Sequence, residues 1–150
     1  MAVITAEKNR IIKILESANI KLSSVLSDVF GVSGSRIIED LANEKVDPKE
    51  LTKHIAGNVK NKTEDFIRAL TGRVTKHHSF LIKQSLKHIN EICAIIQDLE
   101  QQIDIITSQY SNEFELLQTI PGVSNISAAA IMAETGVDMN QFPSDQHLSS

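Results

Sequence analysis

From about Val74 to Ser111 the chain contains no proline and no glycine. Within this stretch Ile82, Leu86, Ile89, Cys93, Ile96, Leu99, Ile103, Ile106 and Tyr110 recur at steps of three and four. That spacing predicts one long α-helix with a coiled-coil-like apolar seam, irregular only at Ile96–Leu99, where two steps of three adjoin. At ~1.5 Å per residue such a helix is roughly 50 Å or more long. It cannot bury its seam against itself. Either the earlier helices or a second copy of the chain must cover it, and a homo-oligomer is expected. Cys93 lies on the seam and reads as a buried hydrophobe rather than a nucleophile.

The rest of the chain reads as helices too. Five Phe, one Tyr and no Trp among 150 residues make a poor β-sandwich. The apolar content is mainly Ile, Leu and Ala, interleaved with Glu, Gln, Lys and Ser, which suits helices. A first helix is expected from Thr5, as cap, to Val29, with a stripe of Ile11, Ile14, Leu15, Ala18, Leu22, Val25, Leu26 and Val29. Gly31 and Gly34 end it by permitting positive φ. Ser33 or Ser35 opens a second helix with Ile37, Ile38 and Leu41 inward. Asp47-Pro48 starts a third, with Leu51, His54 and Ile55 on its apolar side. Gly57-Asn58 breaks it. A fourth covers about Lys60 to Leu70, with Phe66, Ile67 and Leu70 inward. The expected fold is all-α: a helical bundle with one long coiled-coil-like helix, then a shortened helix-hairpin-helix-like segment. The expected division is a helical and assembly region over 1–111 and a second region over 112–150.

Charge is segregated along the chain. All fifteen Lys and Arg lie at or before Lys87, so residues 1–88 carry a net +5 and residues 89–150 a net −9. A basic half can approach a polyanion; the acidic half cannot do so by charge alone. The basic cluster comprises Lys8, Arg10, Lys13, Lys60, Lys62, Arg68, Arg73, Lys76, Lys83 and Lys87. Lys76, Lys83 and Lys87, spaced seven and four apart, share one helix face. They form either a phosphate-facing ridge or a solvated surface.

Asn112 is expected to cap a short helix bearing Phe114, Leu116 and Leu117. Pro121-Gly122-Val123-Ser124-Asn125 then turns the chain into an Ala-rich helix, Ile126 to Thr135, closed by Gly136. This is the pattern of the helix-hairpin-helix unit. Gly122 lets the backbone approach a phosphate, and the turn amides with the second helix's N-terminus supply donors. Such units hold the DNA backbone without reading bases. Ser124 stands where a second glycine is usual, and no basic residue follows the turn, so the hairpin alone binds weakly. A hairpin packed for stability is the competing reading.

Residues Leu117–Ser150 carry a resemblance. Leu117-Gln118-Thr119-Ile120-Pro121-Gly122-Val123, Ala128-Ala129-Ala130, Ala133-Glu134-Thr135-Gly136, Asp138-Met139 and Phe142-Pro143-Ser144 resemble the bacterial insertion-sequence transposases that join a RuvC-like DEDD nuclease domain to a serine-bearing C-terminal domain. Upstream, Asn9-Arg10, Ala18-Asn19-Ile20-Lys21-Leu22, Asp28-Val29-Phe30-Gly31-Val32-Ser33-Gly34 and Ala69-Leu70-Thr71-Gly72 are similar to that family's central helical region. The resemblance implies DNA recombination, with DNA and a structured guide RNA as partners. It places the acidic metal-binding positions N-terminal to this segment and the serine nucleophile beyond Ser150. The chain is then a non-catalytic central fragment, without a cofactor of its own, whose divalent metal belongs to the nuclease domain. Ser149 and Ser150 are not the nucleophile. The alternative is a structural coiled-coil module without nucleic-acid binding.

Other chemistry is poorly supported. One cysteine excludes an internal disulfide framework and a Cys-based zinc cluster. His77, His78 and His88 are about three turns apart and read as surface residues. No run approaches the ~18 apolar residues of a membrane span. The N-terminus lacks an apolar signal core, so a cytoplasmic location is expected.

Overall fold

A computed structural model describes residues 2–55 and 63–136, together with Asp138. The expected Gly57-Asn58 break, Lys60, Lys62, and the Met139, Phe142–Ser144, Ser149 and Ser150 positions lie outside the described residues. The fold is all-α, with no strand among the described residues. The elements are α1 (Ala2–Ser17), a 3-10 turn (Leu22–Ser24), α2 (Val32–Ala42), α3 (Pro48–Leu51), a second 3-10 turn (Thr52–His54), α4 (Thr63–Leu70), α5 (Lys76–Ser108), α6 (Ser111–Gln118) and α7 (Asn125–Thr135). The chain divides into two compact units, Met1–Cys93 and Ala94–Ser150, with the boundary inside α5. Among the described residues no helix is long and apolar enough to cross a membrane.

The first helix is shorter than its apolar stripe suggests, and Thr5 lies inside it rather than at its cap. Asn19 takes φ 59, a left-handed conformation that Asn tolerates better than most residues. The Ile20 N–H then donates to the Leu15 carbonyl at 2.8 Å and the Asn19 N–H to the Glu16 carbonyl at 2.9 Å. This is a Schellman end, with buried Ile20 and Leu15 supplying its apolar contact. Ala18, Ile20 and Leu22 are all buried. The stripe thus continues past the helix end at a different period.

Two backbone hydrogen bonds clip this turn to the loop after α4. The Lys21 N–H donates to the Ala69 carbonyl at 2.9 Å, and the Arg73 N–H to the Ala18 carbonyl at 2.8 Å. Gly72 makes the approach possible, since a Cβ there would lie 2.3 Å from the Ala18 carbonyl oxygen. Gly34 has the same role in the first turn of α2, where a Cβ would lie 2.0 Å from the Val29 carbonyl oxygen. The positive φ expected at Gly31 and Gly34 is not found, and Gly31 is the extended N-cap of α2 at φ −70. Neither Ser33 nor Ser35 caps that helix. The Ser35 hydroxyl instead donates to the Phe30 carbonyl at 2.9 Å.

The core of the first unit gathers Ile11, Leu15, Ile20, Leu22, Ile37, Ile38, Leu41, Leu51, Leu70 and Ile82. Ile37, Ile38 and Leu41 face inward as the spacing predicts, and so do Phe66 and Leu70. Asp47 accepts from the Lys49 N–H at 2.9 Å and Pro48 occupies the first helical position, as expected, but that helix lasts one turn. Helix α2 also ends in a Schellman arrangement. Glu44 takes φ 62, and the Lys45 N–H donates to the Asp40 carbonyl at 2.9 Å. Here a Lys45–Asp40 ion pair at 2.9 Å stands where the apolar contact usually lies.

Helix α5 starts at a cap the sequence reading missed. The Thr75 hydroxyl accepts from the His78 N–H at 3.3 Å, and His78 Nδ1 accepts from the Thr75 N–H at 3.2 Å. This is a capping box with histidine in place of the usual Glu or Gln. In the second unit, α6 begins at Ser111 with Tyr110 as N-cap, so Asn112 lies within the helix rather than capping it.

Gly72→Ala is expected to lower stability by about 1–3 kcal/mol, the usual cost of overpacking. It should shift the urea midpoint with helicity retained. An unchanged midpoint would show that the clip at Ala18 yields easily.

Candidate nucleic-acid and assembly faces

The seam of α5 has two fates. Ile82 is buried in the first unit's core, with Leu86 and Ile89 packed partly against it. Beyond them the stripe opens. Ile96 is half-buried, Leu99, Ile103, Ile106 and Tyr110 are exposed, and Leu99 and Ile106 each stand 58 % exposed. Cys93, expected to be buried, is exposed in the single chain, because the core that covers the earlier seam positions stops short of it.

The second unit buries little of its own. Thr107 and Ala128 are its buried residues among those described. Ile95, Ile105, Leu116, Ile120, Ile126 and Ile131 join the open seam residues as exposed large hydrophobics. A half-open cavity of about 230 Å³ lies between the end of α5 and α7, lined by Ile106, Thr107, Tyr110, Ala129, Met132, Ala133 and Gly136. At ~25 cal/mol per Å² of buried apolar surface, covering such a face is a strong drive to associate.

The hairpin turn has the expected backbone. Gly122 takes φ 90, and a Cβ built there meets nothing within 4 Å, so its approach side is open. Ser124 caps α7 by accepting from the Ser127 N–H at 3.2 Å. The Asn125 carboxamide accepts from Gln118 Nε2, tying α6 to α7. Pro121 and Asn125 are exposed and Val123 is half-buried. The Ser124 hydroxyl and the Asn125 side-chain oxygen are thus engaged within the hairpin. No Lys or Arg follows Lys87 to supply charge there.

In the first unit, Lys76, Lys83 and Lys87 are all exposed on α5, while Ser79, Ile82 and Ser85 of the same helix are buried. Lys87 Nζ lies 3.6 Å from Glu91 Oε1, an exposed pair of little energetic weight. The ridge keeps its charge available to a polyanion.

Two buried or half-buried carboxylates escaped the sequence reading. Glu7 is 4 % exposed. Its Oε1 accepts from Arg10 at 2.6 Å and lies 3.1 Å from His88 Nδ1, linking α1 to α5. Burial pushes the Glu7 carboxyl up, but the hydrogen bond with His88, the nearby Ser85 hydroxyl and the charge of Arg10 outweigh it and hold the group below the ordinary carboxylate range. Asp40 takes His54 Nε2 at 2.6 Å and Lys45 Nζ at 2.9 Å. The His54 and Lys45 hydrogen bonds hold its carboxyl low as well. Periodicity signals only which face is buried. It puts Glu7, one turn before Ile11, on that face, but gives no sign that a carboxylate there is buried or that His88 and His54 have carboxylate partners. Among the described residues no three His, Cys, Asp or Glu side chains are placed to hold a metal ion.

Both carboxylates have lowered pKa values in the folded chain, so their contribution to stability is complete above the ordinary carboxylate range. It is lost as pH falls through the lowered values. Glu7→Gln combined with Asp40→Asn should flatten the fall of the urea midpoint with acid. An unchanged slope would remove these two groups as its source.

Residues 114–150, covering most of α6, the turn and α7, match the sequence model of the Transposase IS116/IS110/IS902 family. No curated protein and no solved structure matches the chain.

Proposed function

We propose that this chain is the central, non-catalytic part of a DNA transposase. It joins protomers through the open stripe of α5 and holds nucleic-acid backbone with its basic first unit. The observation that carries this reading is the family match over 114–150, which falls on a hairpin whose own unit leaves its large apolar residues uncovered. Such a unit is built to be completed by a neighbour, and a second copy offers the same stripe from Cys93 to Tyr110. Lys76, Lys83 and Lys87 supply exposed positive charge for DNA or a structured RNA. Pro121, Gly122, Val123, Ser124 and Asn125 add a backbone turn that can sit close to a phosphate. Metal-dependent cleavage belongs to parts of the transposase outside this segment.

A second reading, a structural coiled-coil module without nucleic-acid binding, is favoured by one feature. The acidic second unit has no cation to hold a phosphate.

Two measurements test the proposal. Leu99→Asp and Ile106→Asp lie at exposed positions and should retain helicity. Each should shift the sedimenting species from oligomer to monomer, and an unchanged mass would refute assembly through the stripe. Binding of a DNA duplex or RNA hairpin should fall steeply with salt, and Lys83→Glu with Lys87→Glu should weaken it about tenfold or more. No binding at low salt would favour the structural module.

A further inference from the structure

The first unit holds an open groove of about 570 Å³ whose lining includes Asn19, Lys21, Ser24, Asp65, Arg68 and Thr71. The fold assembles it from two distant stretches of chain. The Lys21–Ala69 and Arg73–Ala18 backbone hydrogen bonds set Lys21 beside the α4 end that carries Arg68, and Arg73 beside the α1 turn. Lys21, Arg68 and Arg73 are exposed, and no ion pair engages them among the described residues. Among the described lining residues Asp65 is the one carboxylate. The Ser24 and Thr71 hydroxyls donate to the Lys21 and Ile67 carbonyls, which leaves their lone pairs, not their protons, toward a ligand. The Lys21 and Arg68 cations, with the Asn19 carboxamide, are therefore the side-chain donors that remain.

We propose that this groove, with Lys21 and Arg68 on its walls, binds a phosphodiester backbone segment of a nucleic acid. This rests on the proposed function and deepens it by naming a contact site apart from the α5 ridge. The volume exceeds that of a phosphate ion and suits a nucleotide-sized section of strand. A guanidinium and an ammonium across one groove can share successive phosphate oxygens. Asp65 repels any phosphate placed over it and so confines the strand to the Lys21–Arg68 side.

The test uses the full chain, with fluorescence anisotropy of a labelled RNA hairpin and a DNA duplex of the same sequence titrated across salt. Lys21→Ala with Arg68→Ala should weaken binding about tenfold and lower the slope of log affinity against log salt by about two. Asp65→Asn should tighten it, a gain that loss of folding cannot mimic. Acetylation of Lys21, read by mass spectrometry on the unmodified sequence, should be suppressed by the bound nucleic acid. The more strongly bound probe identifies the source of the backbone. If the Lys21/Arg68 variant binds like the parent while Lys83→Glu with Lys87→Glu weakens binding, the groove proposal is overturned and the ridge stands. If the groove variant alone loses binding, the groove stands and the ridge falls. If the parent binds neither probe, both are overturned.

Discussion

The Ala18 carbonyl receives the Arg73 amide because residue 72 has no side chain. Much of the first unit depends on that contact. It closes the Asn19 turn over the loop after α4 and brings the Lys21 amide to Ala69. Segments some fifty positions apart are thereby joined by backbone alone, which is insensitive to side-chain rotamers. Leu70 and Ile20 are buried on either side of the joint. Helix α5 leaves the same loop, capped by Thr75 and His78, and Ile82 enters the core within its second turn. The clip thus sets where the long helix begins, and the core sets how far along it apolar residues are covered.

That coverage ends before the stripe does. Ile82, Leu86 and Ile89 have the chain's own core to pack against, whereas Leu99 and Ile106 do not. The same periodic pattern therefore has two outcomes along one helix: intramolecular burial first, and an apolar face that the single chain leaves uncovered after it. The second unit has the composition for this. Its small residues, Ala128 above all, allow close packing within the hairpin, and its Ile and Leu side chains remain outside. Charge divides along the chain in parallel, with the cations confined to the part that has its own core. Under the proposed function, a nucleic-acid strand and a second protein copy would meet chemically different surfaces.

The all-α class, the Asp47-Pro48 start, the inward faces of α2 and α4, and the Gly136 end of the last helix were legible because each rests on local chemistry. A cap, a proline or a three-and-four spacing acts within a turn or two of chain. The stop at Ser17 was hidden because the apolar residues continue through Ala18, Ile20 and Leu22 at another period. The His78 box was hidden because imidazole is an unusual occupant of its position. The glycines at 31 and 34 suggested a left-handed turn, yet what the fold asks of Gly34 is room beside Val29. The basic cluster was visible as a composition, but Lys21, which lines the groove, stood apart from it until the Ala69 contact brought it near Arg68.

The order of residues by itself determined that this protein is helical, that one helix is far longer than the others, and that all its Lys and Arg lie at or before residue 87. Those properties follow from backbone propensity and from counting, and neither requires distant contacts. Only the tertiary structure decided which part of the long stripe is covered, which carboxylates meet histidines, and which cations share a groove. Each of those depends on segments that meet through a clip at Gly72, across α1 and α5, or between α2 and the turn at His54, and a one-dimensional pattern does not encode the distance between its remote parts.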